Sequence, residues 1–139
     1  MRKTLPKGRI PKMTKNDASM LSGGALAYIG DAILELLVRE RLVETVDADT
    51  GVLSQKARGY VSAKAQAKIT EVLPMLTEEE NAIYRRGRNS HSGRVPHSAT
   101  AAEYRYATGF EALAGWLYLT GEKKRLCEIF DLVYRREQG

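Results

Sequence analysis

Apolar residues along this chain recur at the 3.6-residue spacing of helices, and no segment keeps the strict alternation of a strand. From about Leu21 to Val43 apolar side chains fall on almost every side between Leu26 and Val38, which predicts a central helix enclosed by others. "VLSQKARGYVSAKAQAKITEVLPML" reads as a second long helix, with Val61, Ala65, Ile69 and Val72 in register, Gly59 as a weak point and Pro74 near its end. "TEEENAIYRRGR" opens with a capping box from Thr77 to Glu80 and predicts a short helix broken at Gly87. Its acids face the positive end of the helix dipole and its arginines the negative end. "GRNSHSGRVPHS" is a polar loop, and "TAAE", residues 100 to 103, is a second capping box that starts a helix running to about Leu119. "TGEKKRLCEIFDLVYRREQ" supplies a last amphipathic helix with Leu126, Ile129, Phe130 and Val133 on one face. The expectation is an all-α fold. Residues 1–16, basic and with Pro6 and Pro11, are expected to form a flexible arm, and residues 17–139 one globular domain.

Composition narrows the function classes. A single cysteine, Cys127, excludes an intrachain disulfide or a Cys-x-x-Cys site; its place in an apolar-faced helix predicts a buried thiol, and the cysteine usage suits a reducing cytoplasm. The basic N-terminus lacks the apolar stretch of a signal peptide, and no run of roughly 18 apolar residues predicts a membrane span. The net charge of +5 is unevenly placed. No acid lies between Asp49 and Glu71, where Lys56, Arg58, Lys64 and Lys68 occur, nor between Glu80 and Glu103, where Arg85, Arg86, Arg88 and Arg94 occur. Such blocks are either solvated faces or a phosphate-tracking surface.

Two apolar runs each contain one lone acid: Asp31 in "ALAYIGDAIL" and Glu111 in "TGFEALAGWLYL". Burying an unpaired carboxylate costs several kcal/mol, on the order expected for an isolated ion, so each needs a cation, a proton or a metal. Arg39 lies two turns from Asp31, with Glu35 between them, and the helical neighbours of Glu111 include no cation. A salt bridge from another helix and a hard divalent ion both remain open. Tyr28, Tyr104, Tyr106, Trp116 and Tyr118 suit core or interface packing better than base stacking, and His91 and His97 are too loosely placed for general-base chemistry.

These stretches resemble a known family. "AYIGDAILELLVRERL" is similar to the ribonuclease III signature, and "GFEALAGWLYL" to that family's second acidic motif. With "YVSAKAQAKI", "RRGRNSHSGRVP" and "YRYATGFEALAGWLYL", the chain resembles in particular the Mini-ribonuclease III branch, a catalytic domain without a double-stranded RNA-binding domain; the resemblance runs from about Leu26 to Tyr134. It implies that Asp31 and Glu111 are catalytic carboxylates that bind Mg²⁺, with Mn²⁺ as a substitute. It further implies a cytoplasmic homodimer that hydrolyses phosphodiesters in double-stranded RNA, leaving 5′-phosphate and 3′-hydroxyl ends, with precursor 23S ribosomal RNA as substrate. The dependence on a ribosomal-protein cofactor is left open. Full-length members carry further acids where this chain has Ala27 and Thr108, which leaves the number of metal ions open. Arg85, Arg86, Arg88, Arg94, Lys56, Arg58, Lys64 and Lys68 are the expected RNA contacts, since A-form duplexes are held largely through phosphates and 2′-hydroxyls. Two rivals are a non-catalytic helical binder of duplex RNA and a metal-dependent nucleoside triphosphate hydrolase; the second leaves the arginine loop unexplained.

Overall fold

A computed structural model describes residues 12–90 and 99–134, and among them every regular element is helical. The order is α1 (Lys15–Ser19), α2 (Gly23–Thr45), α3 (Thr50–Tyr60), α4 (Ala63–Gln66), two 3₁₀ turns (Ala67–Glu71 and Leu73–Met75), α5 (Glu78–Arg88), α6 (Ala101–Leu119) and α7 (Lys123–Val133).

Local chemistry sets most helix starts. Ser22, Asp49, Ser62, Thr77 and Thr100 each accept a hydrogen bond from a first-turn amide, and the two expected capping boxes form in full, at Thr77 with Glu80 and at Thr100 with Glu103. α6 is closed off two residues past its last residue, Leu119, by Gly121, whose φ of 77° is left-handed; there the Glu122 amide donates to the Leu117 carbonyl (2.8 Å) and the Gly121 amide to that of Tyr118 (3.1 Å).

Three expectations change. The long helix drawn from Val52 to Leu76 is broken at Val61, because Ser62 caps a new helix and accepts from the Ala65 amide, and Pro74 opens the second 3₁₀ turn. α5 runs through Gly87 to Arg88 instead of breaking there. The enclosed central helix is α6, which buries Ala107–Phe110 and Ala112–Leu117, whereas α2 buries Leu26, Ala27, Gly30, Leu34, Val38 and Leu42 and leaves Tyr28, Ala32, Leu36 and Val43 open. Part of the expected arm also joins the fold. The Met13 amide donates to the Leu119 carbonyl (2.6 Å), and Ala18 of α1 is fully buried. Residues 1–11 lie outside the described residues.

Glycines govern how closely these helices approach. A Cβ on Gly30 would sit 1.6 Å from the Glu111 carbonyl oxygen, and one on Gly115 would sit 2.1 Å from that of Leu26, so α2 and α6 cross backbone against backbone. Gly87 and Gly109 do the same between α5 and α6: their added Cβ atoms would meet the Thr108 carbonyl oxygen at 2.8 Å and the Tyr84 ring at 2.6 Å. This explains the uninterrupted α5, since Gly87 serves tertiary packing.

One buried ion pair ties α7 to the rest. The Arg125 guanidinium donates to both Glu80 carboxylate oxygens (2.9 Å each) and to the Met75 carbonyl (3.0 Å), while the Thr77 amide also donates to Glu80 (2.9 Å). Burial opposes the charge on Glu80, but Arg125 and the Thr77 amide outweigh it and hold the carboxyl below its ordinary value. A carboxyl lowered on folding adds stability above its unfolded pKa and loses it as the pH falls through the folded one.

Two outcomes follow for urea unfolding. Gly30→Ala should cost about 2 kcal/mol or more by forcing α2 from α6, whereas Gly59→Ala, with open space around the added carbon, should be neutral or gain up to about 1 kcal/mol. Arg125→Met should cost about 3 kcal/mol at neutral pH, since it strands the Glu80 charge. That deficit should shrink in acid below pH 4.5 as Glu80 takes up its proton, and a deficit independent of pH would refute the account.

Candidate active site

The crossing of α2 and α6 brings the two lone acids together. Asp31 follows Gly30, whose Cα rests on the Glu111 backbone, so residues eighty positions apart become neighbours. Burial first, then a hydrogen bond with Asp31 and the charge of Asp31, push the Glu111 carboxyl up to about 8. Asp31 is exposed and Glu111 half-buried behind it, so the pair opens to solvent on one side only.

No cation neutralises the pair among the described residues. Arg39 instead bonds Glu35 (2.6 Å), and none of the ion pairs includes Asp31 or Glu111. Two neighbouring carboxyl groups with no cationic side chain beside them form a place where a divalent cation can displace the Glu111 proton. No group of three or more His, Cys, Asp or Glu side chains is placed for a metal among the described residues, so this pair is the smaller set of oxygen donors to be weighed. Two oxygen ligands fit Mg²⁺, which keeps several waters and takes further oxygens from phosphates. Neither position that carries an acid in larger relatives adds a donor: Ala27 is buried, and the buried Thr108 hydroxyl donates to the Tyr104 carbonyl (2.9 Å) within its own helix.

The basic residues fall into distinct settings. Lys56, Arg58, Lys64 and Lys68 are all exposed along α3, α4 and the first 3₁₀ turn. Arg85 is exposed near the end of α5, and Arg88 lies over the Tyr84 ring (5.9 Å) while donating to Asn89 (3.2 Å). Arg86 is engaged internally: it donates to the carbonyls of Ser19 and Leu21 (3.2 Å for the latter), fastening the α1–α2 turn. Arg94 lies outside the described residues, as do His91 and His97.

Other expectations divide. Trp116 is core, but Tyr28 is 82% exposed. Cys127 is exposed and not buried, because Leu126, Ile129, Phe130 and Val133 take the inward face of α7 and position 127 falls beside it. Gln66 is the unexpected residue: it is a fully buried amide in a segment whose spacing advertised only apolar positions. Polarity in an apolar helix face was the one signal that could have marked it.

The family model of the ribonuclease III domain matches residues 24–122 of this chain. That match spans both acids and the helix crossing that joins them, and the chain belongs to the ribonuclease III family; it is an endoribonuclease of that family. Within the family it is 47% identical to Mini-ribonuclease 3 of Enterococcus faecalis over 118 residues, covering 83% of this chain and 89% of that protein. It is 50% identical to Mini-ribonuclease 3 of Symbiobacterium thermophilum over 107 residues, covering 76% and 82%. A crystal structure of a Fusobacterium nucleatum protein superposes with a TM-score of 0.76 at 31% identity, covering 86% of this chain and 96% of that one. The resemblance to the Mini-ribonuclease III branch therefore stands.

Because the carboxyl pair opposes itself in the metal-free protein, Asp31→Asn should leave the melting temperature in EDTA at or above that of the wild type. A fall of more than a few degrees, roughly 1 kcal/mol for a chain of this size, would mean that the pair supports the fold.

Proposed function

We propose that this endoribonuclease cuts double-stranded RNA in a Mg²⁺-dependent reaction, as a homodimer, and that its substrate is the precursor of 23S ribosomal RNA in the cytoplasm. The observation that carries the reading is the contact of Asp31 with Glu111 in the absence of any cationic partner among the described residues. In this reading the two carboxylates hold Mg²⁺, or Mn²⁺ in its place. When bound, the ion supplies positive charge to offset that on the phosphoryl oxygens and to acidify water at neutral pH. Glu111, set in the α2–α6 crossing, gives the site a rigid rear wall, and exposed Asp31 meets the incoming phosphodiester. The products are a 5′-phosphate and a 3′-hydroxyl.

The chain's own surface supports the choice of substrate. Arg85 and Arg88 project from the end of α5 and, with Arg94, are assigned to RNA phosphates; Lys56, Arg58, Lys64 and Lys68 form the second contact. Arg86 joins that surface only in part, since its guanidinium is already engaged. The homodimer is assigned to the open face of α2, where Tyr28, Ala32, Leu36 and Val43 form one apolar stripe beside the Asp31 site. Among the described residues no helix is long and apolar enough to cross a membrane.

The decisive assay incubates a fully paired RNA with the protein in Mg²⁺ or in EDTA. Asp31→Asn and Glu111→Gln should each cut slower by on the order of a hundredfold or more while still binding the duplex, and cutting at the wild-type rate by either would remove that residue from the site. Replacing Arg85, Arg88 and Arg94 by Ala should lower the slope of log affinity against log salt by roughly 0.9 per lost phosphate contact. Leu36→Glu should convert the dimer to a monomer in light scattering.

A further inference from the structure

Where the C-terminal half of α2 meets α3, the first 3₁₀ turn and the end of α7, the surface opens into a groove of about 960 Å³. Half-buried Val46, Ala65 and Leu132 give it an apolar lining, and Tyr60, 37% exposed, stands in its wall. The Tyr60 ring lies edge-to-face with Tyr134 (centroids 5.7 Å apart, planes at 68°), and its carbonyl accepts from the Tyr134 hydroxyl (2.8 Å), so this aromatic surface is fixed before anything binds. Exposed Lys56 and Lys68 also line the groove, and neither has an ion-pair partner among the described residues. Arg41 is committed to Asp131 and the Tyr134 carbonyl, which leaves the two lysines facing one acid of the lining, Glu71.

We propose that this groove takes one unpaired nucleotide of the RNA, its base against Tyr60 and its phosphates on Lys56 and Lys68. The proposal rests on the reading of this enzyme as one that acts on double-stranded RNA, and adds to it a site for a nucleotide outside the duplex. Size and chemistry select the occupant. A groove of this volume matches a nucleotide-sized ligand. The lysines alone would serve a duplex, whose phosphates face outward, but a duplex keeps its base faces stacked and leaves an apolar lining and a phenol ring without a partner. An unstacked base has its faces free and rests on aromatic side chains whatever its identity. Position supports the same occupant. Leu42, in the groove lining, follows Asp31 by eleven residues, three turns of α2, so the two fall on one side of that helix roughly 16 Å apart. RNA held at the carboxyl pair thus reaches the groove some way from the bond that is cut.

The test uses the full chain in EDTA, which prevents cleavage, and two RNAs: a fully paired duplex, and the same duplex with a short single-stranded extension at either end that contains 2-aminopurine. The wild type should bind the extended RNA about tenfold more tightly than the paired one and quench the 2-aminopurine fluorescence by stacking. Gly59→Leu should obstruct the groove without harm to the fold, because Gly59 lines it and a Cβ there meets nothing within 4 Å. In that variant, and in Tyr60→Ala, the preference and the quench should be lost while affinity for the paired duplex is kept; Tyr60→Phe should retain all three. Equal affinity of the wild type for the two RNAs overturns the proposal, as does a preference that survives in Gly59→Leu folded by circular dichroism. Binding of poly-glutamate that Gly59→Leu abolishes, with no preference between the RNAs, would give the groove to an acidic protein segment and overturn it as well. A wild-type protein that binds neither RNA would instead overturn the double-stranded RNA reading, which separates the two failures.

Discussion

Everything in this domain depends on the backbone contact between α2 and α6. Side chains normally keep helix axes 8–10 Å apart, and here Gly30 and Gly115 remove the carbon atoms that would prevent a closer approach, leaving each against a carbonyl of the facing helix. The contact does two things at once. It packs Leu26, Leu34, Leu113 and Leu117 into a common core, and it places Asp31 and Glu111 within reach of one another. Stability and the site are therefore consequences of the same crossing, and a change that loosens one disturbs the other.

The same device extends the crossing into a three-helix unit. Gly87 and Gly109 seat α5 on α6, and Gly23 lies against the Arg86 carbonyl, with a hypothetical Cβ 2.5 Å away. Within so tight a frame there is little room for additional acids. Ala27 is packed, and Thr108 spends its hydroxyl on a backbone carbonyl, so the reduced acidic pattern is matched by the packing around it. Ion pairs serve the periphery. Arg125 clamps Glu80 to the Met75 carbonyl, and Arg41 joins α2 to Asp131 and to the Tyr134 carbonyl (2.6 Å), which closes α7 over the core.

The electrostatic character of the site follows from what the packing leaves out. Several arginines are committed to other partners: Arg39 to Glu35, Arg86 to the α1–α2 turn and Arg41 to the end of α7. The carboxyl pair has no ion-pair partner among the described residues, and Glu111 holds a proton at pH values where an ordinary glutamate does not. A buried carboxyl kept protonated by its surroundings is a pattern common where proteins keep a reactive arrangement in place.

Much of this was legible in the chain itself, and the division has a physical basis. Capping boxes at Thr77 and Thr100 could be read because the bonds that make them span three residues, and the amphipathic α7 because one face repeats within it. The two lone acids stood out for the same reason, as charges in apolar runs. Hydrophobic spacing alone did not tell that α6 and not α2 is enclosed, because an apolar face looks identical whether or not another element covers it. Nor did it distinguish Gly87, which packs a helix, from a glycine that ends one, or show that Ser62 would cap a new helix instead of continuing the old one. The sequence by itself determined the all-α class, the capped helix starts, the basic blocks and the two lone acids, since these depend on neighbours a few positions away. Only the tertiary structure decided that Asp31 meets Glu111, that Gln66 is buried and that Arg125 clamps Glu80, because each depends on positions far apart in the chain.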